Sequence, residues 1–246
     1  PRADDLRGDL RQTLAGLADR FAVADLDHDS LVEGLHQALT TGLGALTGGQ
    51  CLLALGARPR LAELDFELPL GSAGQRGTVS DLAHLFDSML TADDPLHSYG
   101  RQLLDSAAAG SILAGFLTGS IDAVVQVPSK VPRYVILDYK TNRVPTRADD
   151  PLTASHYHRA AMAEAMREAH YPLQALLYCA ALHRYLTWRL PGYRPDVHLG
   201  GVGYLFVRGM VGESNPMIDG MPSGVFVWLP PPEMVVEASR ILAGGR

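Results

Sequence analysis

Lysine is scarce in this 246-residue chain, which has only Lys130 and Lys140 against nineteen arginines. The two residue types are not interchangeable, because lysine carries a compact ammonium whereas arginine carries a planar fork of donors. A chain that uses arginine so widely is expected to keep a lysine where a point charge is needed. Lys140 stands two residues after Asp138, and this pair is therefore a candidate functional motif.

Cysteine is also rare, since Cys51 and Cys179 are the only two. They lie far apart without metal-ligand spacing, which disfavours a zinc ribbon, an iron–sulfur cluster or a disulfide scaffold. Both have apolar neighbours, so we predict buried free thiols and a reducing, cytoplasmic compartment. No apolar run approaches the roughly 18 residues of a membrane span, and no association with a membrane is predicted.

A phosphate-binding loop of the form G-x-x-x-x-G-K-[ST] is absent, so no ATP site of that type is predicted in this segment. The formal net charge is −6, whereas domains that bind nucleic acid indiscriminately are usually basic. A nuclease is still compatible with this charge. Catalytic carboxylates are negative until a metal binds, and a larger assembly can supply a basic track.

The remaining pattern is that of a globular α/β protein, with 47% hydrophobic and 20% charged residues. Leucines at helical spacing predict helices in residues 1–50. Residues 60–70 alternate apolar and polar side chains, which predicts a strand with Glu63, Asp65 and Glu67 on an acidic solvent face. Further strands are predicted at 201–208 and 224–229, and further helices at 78–90, 160–170, 171–190 and 231–242.

The stretch from residue 119 to 142 is the most informative one. Two β-branched runs, 121–127 and 134–137, flank a short Pro/Ser/Lys/Pro segment, which predicts a β-hairpin. Antiparallel pairing brings the start of the first strand beside the end of the second, so Asp122 and Asp138 are expected to lie close together. Side chains alternate along a strand, so Asp138 and Lys140 share a face.

Two carboxylates and an ammonium in this arrangement suit phosphodiester hydrolysis. Carboxylates hold Mg²⁺ through oxygen, the metal acidifies a bound water, and a nearby ammonium orients that water or offsets developing charge. An acidic residue followed by a lysine is common at strand ends, so the motif alone establishes little. The otherwise apolar strand around Asp138 strengthens it, because a buried unpaired charge is costly and a partner is expected.

A second polar pair lies on the predicted helix at 171–190. Gln174 and Tyr178 are four residues apart and therefore share one face of that helix. They form either a patch that hydrogen-bonds a phosphate or base, or a polar stripe that faces solvent. Spacing alone favours the stripe.

Three motifs in this order, G-S-I-D at 119–122, D-Y-K-T-N at 138–142 and Q-A-L-L-Y at 174–178, resemble the nuclease module of the PD-(D/E)XK superfamily. Within it they look most like the C-terminal nuclease domains of the RecB family, the β subunits of exodeoxyribonuclease V. The resemblance implies a restriction-endonuclease-like α/β core, with a central mixed sheet flanked by helices. We expect a helical N-terminal extension at 1–58 and the nuclease domain at 59–246.

The resemblance also assigns roles to residues. Asp122 and Asp138 match the metal-binding aspartates, Lys140 matches the catalytic lysine, and the backbone carbonyl of Tyr139 is a further metal ligand by the family's pattern.

Gln174 and Tyr178 match the family's Q-x-x-x-Y element, which helps to place the DNA strand, and this reverses the preference for a solvent stripe. RecB-like nucleases also have a histidine ligand in an upstream G-T-x-x-H helix. No such motif occurs here, and His36 and His84 have the wrong neighbours. Since the first residue is Pro1 and not Met, we expect a fragment that begins just after that helix.

The function implied is that of a Mg²⁺-dependent deoxyribonuclease domain, with one or two ions and Mn²⁺ as a substitute. It would cut DNA within a RecBCD-type repair and recombination machine, with RecC-like and RecD-like subunits as partners and a helicase part N-terminal in the same polypeptide. Two alternatives remain open. The missing histidine supports a nuclease-inactive DNA-binding module, and the acidic balance supports a subunit-docking module.

Overall fold

The computed structural model describes residues 5–21, 27–56, 59–71, 76–127, 130–144 and 151–245. A five-stranded mixed sheet in the order β1-β2-β3-β4-β7 lies at its centre, beside a separate two-stranded ladder of β5 and β6. The strands are β1 (Arg60–Leu70), β2 (Gly115–Val127), β3 (Arg133–Lys140), β4 (Leu199–Phe206), β5 (Met217–Ile218), β6 (Met221–Pro222) and β7 (Val225–Trp228).

The predicted hairpin is confirmed, since β2 and β3 pair antiparallel with Ala123 opposite Leu137. The strand β2 begins earlier than its β-branched run, because its residues 115–125 pair with β1 along the whole length of β1. The next pair, β3 and β4, is parallel. Parallel strands need a long crossover, and the helical segment at 159–198 supplies it.

Most helices lie around the sheet at the predicted places, whereas the four-residue helix at 195–198 was not predicted. The helices are α1 (Leu6–Phe21), α2 (His28–Thr40), α3 (Leu52–Gly56), α4 (Val79–Met89), α5 (Tyr99–Leu104), α6 (Arg159–Glu168), α7 (Tyr171–Arg189), α8 (Pro195–His198) and α9 (Pro232–Leu242). The start of α4 shows how local sequence fixes a boundary. Thr78 accepts the backbone N–H of Asp81, and the Asp81 carboxylate accepts the backbone N–H of Thr78, which is a capping box.

Each face of the sheet carries its own hydrophobic core. The larger core packs α4, α5, α6, α7 and α9 against one face, and the smaller packs α2 and α3 against the other. The central strand β3 contributes to both, since Ile136 lies in the larger core whereas Val135 and Leu137 lie in the smaller. This three-layer arrangement is the expected restriction-endonuclease-like α/β fold.

The N-terminal helices are joined to the sheet through the smaller core. Leu43 and Leu55 are buried there against strand residues, while α1 packs on α2 in a third cluster that includes Leu10 and Val32. The division of the chain at residue 58 stays a prediction.

The two cysteines are free thiols, but only one is buried as expected. Cys179 is buried in the larger core, and this burial raises its pKa to about 12. Cys51 is only half-buried. It lies just before α3, in an isolated β-bridge with Gly42 and outside the named helices and strands. In the described part of the chain, no helix combines the length and apolar character that crossing a membrane requires.

Two adjacent valines of α9 test the larger core. Val235 is 1% exposed and Val236 is 41% exposed. Val235→Ala removes buried methyl groups and leaves a cavity, so we expect a loss of about 2 kcal/mol in the free energy of unfolding, measured by urea denaturation. The matched control Val236→Ala is expected to change it by less than about 0.5 kcal/mol. Equal losses in both variants would contradict this placement of α9.

Candidate active site

Two aspartates meet where β2 and β3 lie side by side. Because Ala123 pairs with Leu137, Asp122 and Asp138 occupy neighbouring positions on the adjacent strands. One oxygen of the Asp122 carboxylate accepts the backbone N–H of Tyr139 at 2.9 Å, which anchors this side chain across the two strands. The structure therefore brings together the two carboxylates that the hairpin pattern singled out.

Asp138 forms a buried ion pair with Lys140. The Lys140 ammonium lies 2.6 Å from Oδ2 of Asp138, and the two side chains are 12% and 3% exposed. They share a face of β3 because they are two residues apart. Oδ2 has no hydrogen-bond partner of ordinary geometry among the residues that the structure describes, so the ion pair leaves acceptor capacity on a buried carboxylate.

Burial dominates the protonation of Asp138. Loss of solvation raises the pKa of this carboxyl above its usual value, and the negative charge of Asp122 adds to the increase. The Lys140 ammonium opposes both effects but does not cancel them. A further positive charge beside these carboxylates would therefore stabilise the ionised form of Asp138.

The Lys140 ammonium is held between aromatic rings and an amide. It lies 4.0 Å from the ring centre of Tyr171 and 5.2 Å from that of Tyr204, both within the range of cation–π attraction. It also donates to the side-chain oxygen of Gln174 at 3.3 Å. These contacts fix the position of a side chain that is otherwise flexible.

The pair on α7 belongs to this network and is not a solvent-facing stripe. The side-chain oxygen of Gln174 accepts from the Tyr204 hydroxyl at 3.0 Å. Its amide nitrogen donates to the Tyr178 hydroxyl at 2.9 Å. Gln174 and Tyr178 thus lie beside the Asp138–Lys140 pair, and their contact with DNA stays a prediction.

Tyr139 points away from Lys140, as the alternation predicts, and its side chain is 43% exposed. It lines a cavity of about 230 Å³ on the α2 and α3 side of the sheet, together with Asp122, Arg60 and Glu63. The pKa of the Tyr139 hydroxyl is raised by burial and by the charge of Asp122. The role of its backbone carbonyl as a ligand stays a prediction.

Glu63 is exposed on β1 as predicted, but its position beside Asp122 was not predicted. The pairs Ala62–Ala123 and Leu64–Ile121 place it directly across from Asp122, and its backbone has a φ of 52°, an unusual conformation for glutamate. Its alternation with Asp65 and Glu67 suggested only a solvent face. The local sequence has no signal for this position, because it depends on the pairing of β1 with β2.

Three carboxylates thus occupy neighbouring positions on β1, β2 and β3. Within the described segments, no three acidic, histidine or cysteine side chains converge closely enough to hold a metal by themselves. The donor set nevertheless fits a hard divalent cation. Asp122 and Asp138 carry the carboxylate oxygens that such a cation prefers, the buried Oδ2 has spare acceptor capacity, and Mg²⁺ in proteins usually keeps several waters.

A mixed sheet with paired carboxylates and a lysine on its central hairpin defines a restriction-endonuclease-like class of protein. Residues 12–223 match the family model of the PD-(D/E)XK nuclease superfamily. The chain belongs to that superfamily, whose members are generally dependent on divalent metals.

Three curated relatives illustrate the similarity. The RecBCD enzyme subunit RecB of Mycolicibacterium smegmatis is 45% identical over 246 residues, which cover 98% of this chain and 22% of the relative. The subunit of the same name from Mycobacterium tuberculosis H37Rv is 42% identical, with 100% and 22% covered. That of Escherichia coli K12 is 34% identical, with 80% and 14% covered. The chain spans at most about a fifth of the length of these relatives.

Substitution of Asp138 tests the burial of its charge. Its pKa is raised above 3.8 in the folded state, so the folded protein binds this proton more tightly than the unfolded chain does. Wild-type stability then falls as pH rises from the unfolded to the folded pKa. In EDTA, we expect the unfolding free energy of Asp138→Asn to increase relative to that of the wild type as pH rises above about 3.8.

Urea denaturation at several pH values measures this gain. Asp65→Asn is the matched control, because it removes one negative charge from an exposed position of β1. A pH profile that is identical for the two variants would show that Asp138 is not buried as a charge.

Proposed function

We propose that this chain is the metal-dependent DNA nuclease domain of a RecBCD-type helicase–nuclease, which hydrolyses phosphodiester bonds in double-strand-break repair and recombination. The observation that carries the proposal is the buried Asp138–Lys140 pair beside Asp122, in a chain of the PD-(D/E)XK nuclease superfamily. Such a pair is expensive to bury and contributes little to stability on its own. It is therefore best explained by chemistry.

Asp122 and Asp138 hold the metal in this proposal, with the backbone carbonyl of Tyr139 as a further ligand. Glu63 faces the same position from β1 and can take part directly or through water. We propose Mg²⁺, as one or two ions, with Mn²⁺ as a substitute, because all these ligands are oxygen atoms. When bound, the ion supplies Lewis-acid polarisation of the phosphate and lowers the pKa of a water.

Lys140 acts on the phosphate and on the attacking water. Its ammonium is held by Asp138, Gln174 and the Tyr171 ring, so it does not have to reorganise as charge develops. A preorganised positive charge of this kind stabilises the transition state more than a mobile one does. Asp138 therefore both binds metal and sets the position of the lysine.

Gln174 and Tyr178 position the DNA strand. The Tyr178 hydroxyl accepts a hydrogen bond from the Gln174 amide, which leaves its own proton to donate. That proton is available to a phosphate oxygen or a base of the bound strand. The hydrogen-bond chain from Lys140 through Gln174 to Tyr178 then links strand position to the catalytic group.

The wider assignments follow the relatives' names. We propose RecC-like and RecD-like partner subunits, DNA as substrate, and a helicase part in the same polypeptide, because the relatives are RecBCD subunits of which this chain matches about a fifth. The cytoplasmic location and the division into 1–58 and 59–246 belong to the same proposal. A nuclease-inactive DNA-binding or docking module is less favoured, since both aspartates and the lysine are present.

The two lysines provide a matched test. Lys140→Ala removes the buried ammonium, and we expect DNA cleavage to fall by about 100-fold or more. Lys130→Ala removes an exposed lysine of the loop between β2 and β3 and should cut like the wild type. The measurement is cleavage of end-labelled linear single-stranded DNA in Mg²⁺, with EDTA as the metal-free control.

Cleavage that survives EDTA, or that is equal in the two lysine variants, would contradict the assignment. If the wild-type chain alone does not cut in Mg²⁺ or Mn²⁺, the same variants are compared in the complete polypeptide. Absence of cleavage there too would reject the nuclease function in favour of a DNA-binding module.

A further inference from the structure

A cavity beside the proposed catalytic residues has no role in the mechanism above. It has a volume of about 310 Å³ and lies between the first half of α7 and the strands β1 and β2. The residues that matter for its chemistry are Phe66, Leu117, Leu173, Gln174, Leu177 and Tyr178.

The cavity adjoins the proposed catalytic site, because Gln174 and Tyr178 line it and also belong to the Lys140 network. The Gln174 side chain contacts Lys140 at its oxygen and Tyr178 at its nitrogen. The Tyr178 ring in turn lies edge-on to the Phe66 ring, with 6.0 Å between centres. A ligand in the cavity would therefore lie one side chain away from the Lys140 ammonium.

Phe66 is a fixed aromatic wall of this cavity. Its ring packs on the backbone of Gly119, so closely that a Cβ added there would lie 2.7 Å from the ring. The edge-on contact with Tyr178 holds it from the side of α7. A wall fixed in this way binds a flat ligand without first being ordered, and this favours affinity.

The chemistry of the lining selects the kind of ligand. Leucine and aromatic side chains dominate it, and its volume falls at the low end of the roughly 300–1,000 Å³ of small-ligand sites. In a DNA strand, the flat apolar group next to a phosphate is a nucleobase, and bases stack on aromatic side chains without regard to sequence. The charged site and the apolar cavity thus match the two parts of one nucleotide.

We propose that this cavity is a base subsite, which receives the unpaired nucleobase next to the phosphate that is cleaved. Stacking on Phe66, with the Tyr178 ring in contact at the edge of the base, anchors the strand while its phosphate lies at Lys140 and the aspartates. Stacking on an aromatic ring tolerates every base, so we expect all four bases to be accepted. This inference rests on the proposed nuclease function and adds a substrate-positioning site to it.

Removal of a base from the substrate tests the subsite directly. Single-stranded oligonucleotides with one abasic position are compared with intact ones, and the rate of cleavage at each linkage is measured. Stacking of a base on an aromatic side chain is strong enough that we expect the wild type to cut about tenfold more slowly beside the abasic position.

Phe66→Ala should cut intact DNA about tenfold more slowly and should lose the distinction between intact and abasic strands. Phe116→Ala is the matched control, since Phe116 is a 65% exposed phenylalanine of β2 outside the lining of the cavity. It should keep the distinction. Phe66→Leu keeps an apolar side chain at this position and removes only the ring. It replaces Phe66→Ala if the alanine variant does not fold, and it should likewise lose the distinction between intact and abasic strands.

Equal wild-type rates on intact and abasic strands, or a distinction that survives in Phe66→Leu, would overturn the base subsite while leaving the nuclease function in place. If the wild type does not cut at all, that result counts against the nuclease function and does not test the base subsite. The subsite is then tested by binding in EDTA of a strand containing 2-aminopurine, a base whose fluorescence falls on stacking. Quenching by the wild type and by Phe116→Ala, but not by Phe66→Leu, is expected, and equal emission with all three proteins would overturn the proposal.

Discussion

The antiparallel register that sets Ala123 opposite Leu137 is the constraint on which the site depends. A slip of one residue would turn every side chain of β3 to the opposite face. Asp138 and Lys140 would then face α2 and α3, away from Gln174. The register is held by packing on both faces, because Ile136 is buried in one core and Leu137 in the other. The geometry of the charged groups is therefore set by apolar neighbours.

The buried ion pair has a cost that the rest of the fold tolerates. Two charges removed from water regain their solvation energy only if they are well paired and otherwise hydrogen-bonded. Asp138 meets the first condition through Lys140, but its buried Oδ2 has no further hydrogen-bond partner among the described residues, and loss of solvation raises its pKa. The aromatic rings of Tyr171 and Tyr204 offset part of the cost for the ammonium. A metal bound to Asp138 would offset the same cost.

Local sequence predicted most elements, because their signals are local. Runs of β-branched residues indicated the hairpin, and leucine spacing indicated the helices. Asp122, Asp138 and Lys140 could be predicted as neighbours for the same reason, since one hairpin carries all three. The position of Glu63 opposite Asp122 could not be predicted, because it depends on pairing between β1 and β2 across more than fifty residues. The cavity at Phe66 was missed likewise, as its walls come from β1, β2 and α7. The strand order, with β4 parallel to β3, also follows from packing and not from any one segment.

We propose that the β2–β3 register creates a metal site on the hairpin. Anomalous X-ray scattering from crystals of the wild-type chain soaked in Mn²⁺ would locate such a site. We expect an anomalous peak bounded by the carboxylates of Asp122 and Asp138 and the backbone carbonyl of Tyr139, and the loss of that peak in Asp138→Asn. A peak elsewhere, or none at saturating Mn²⁺ in well-ordered crystals, would contradict it.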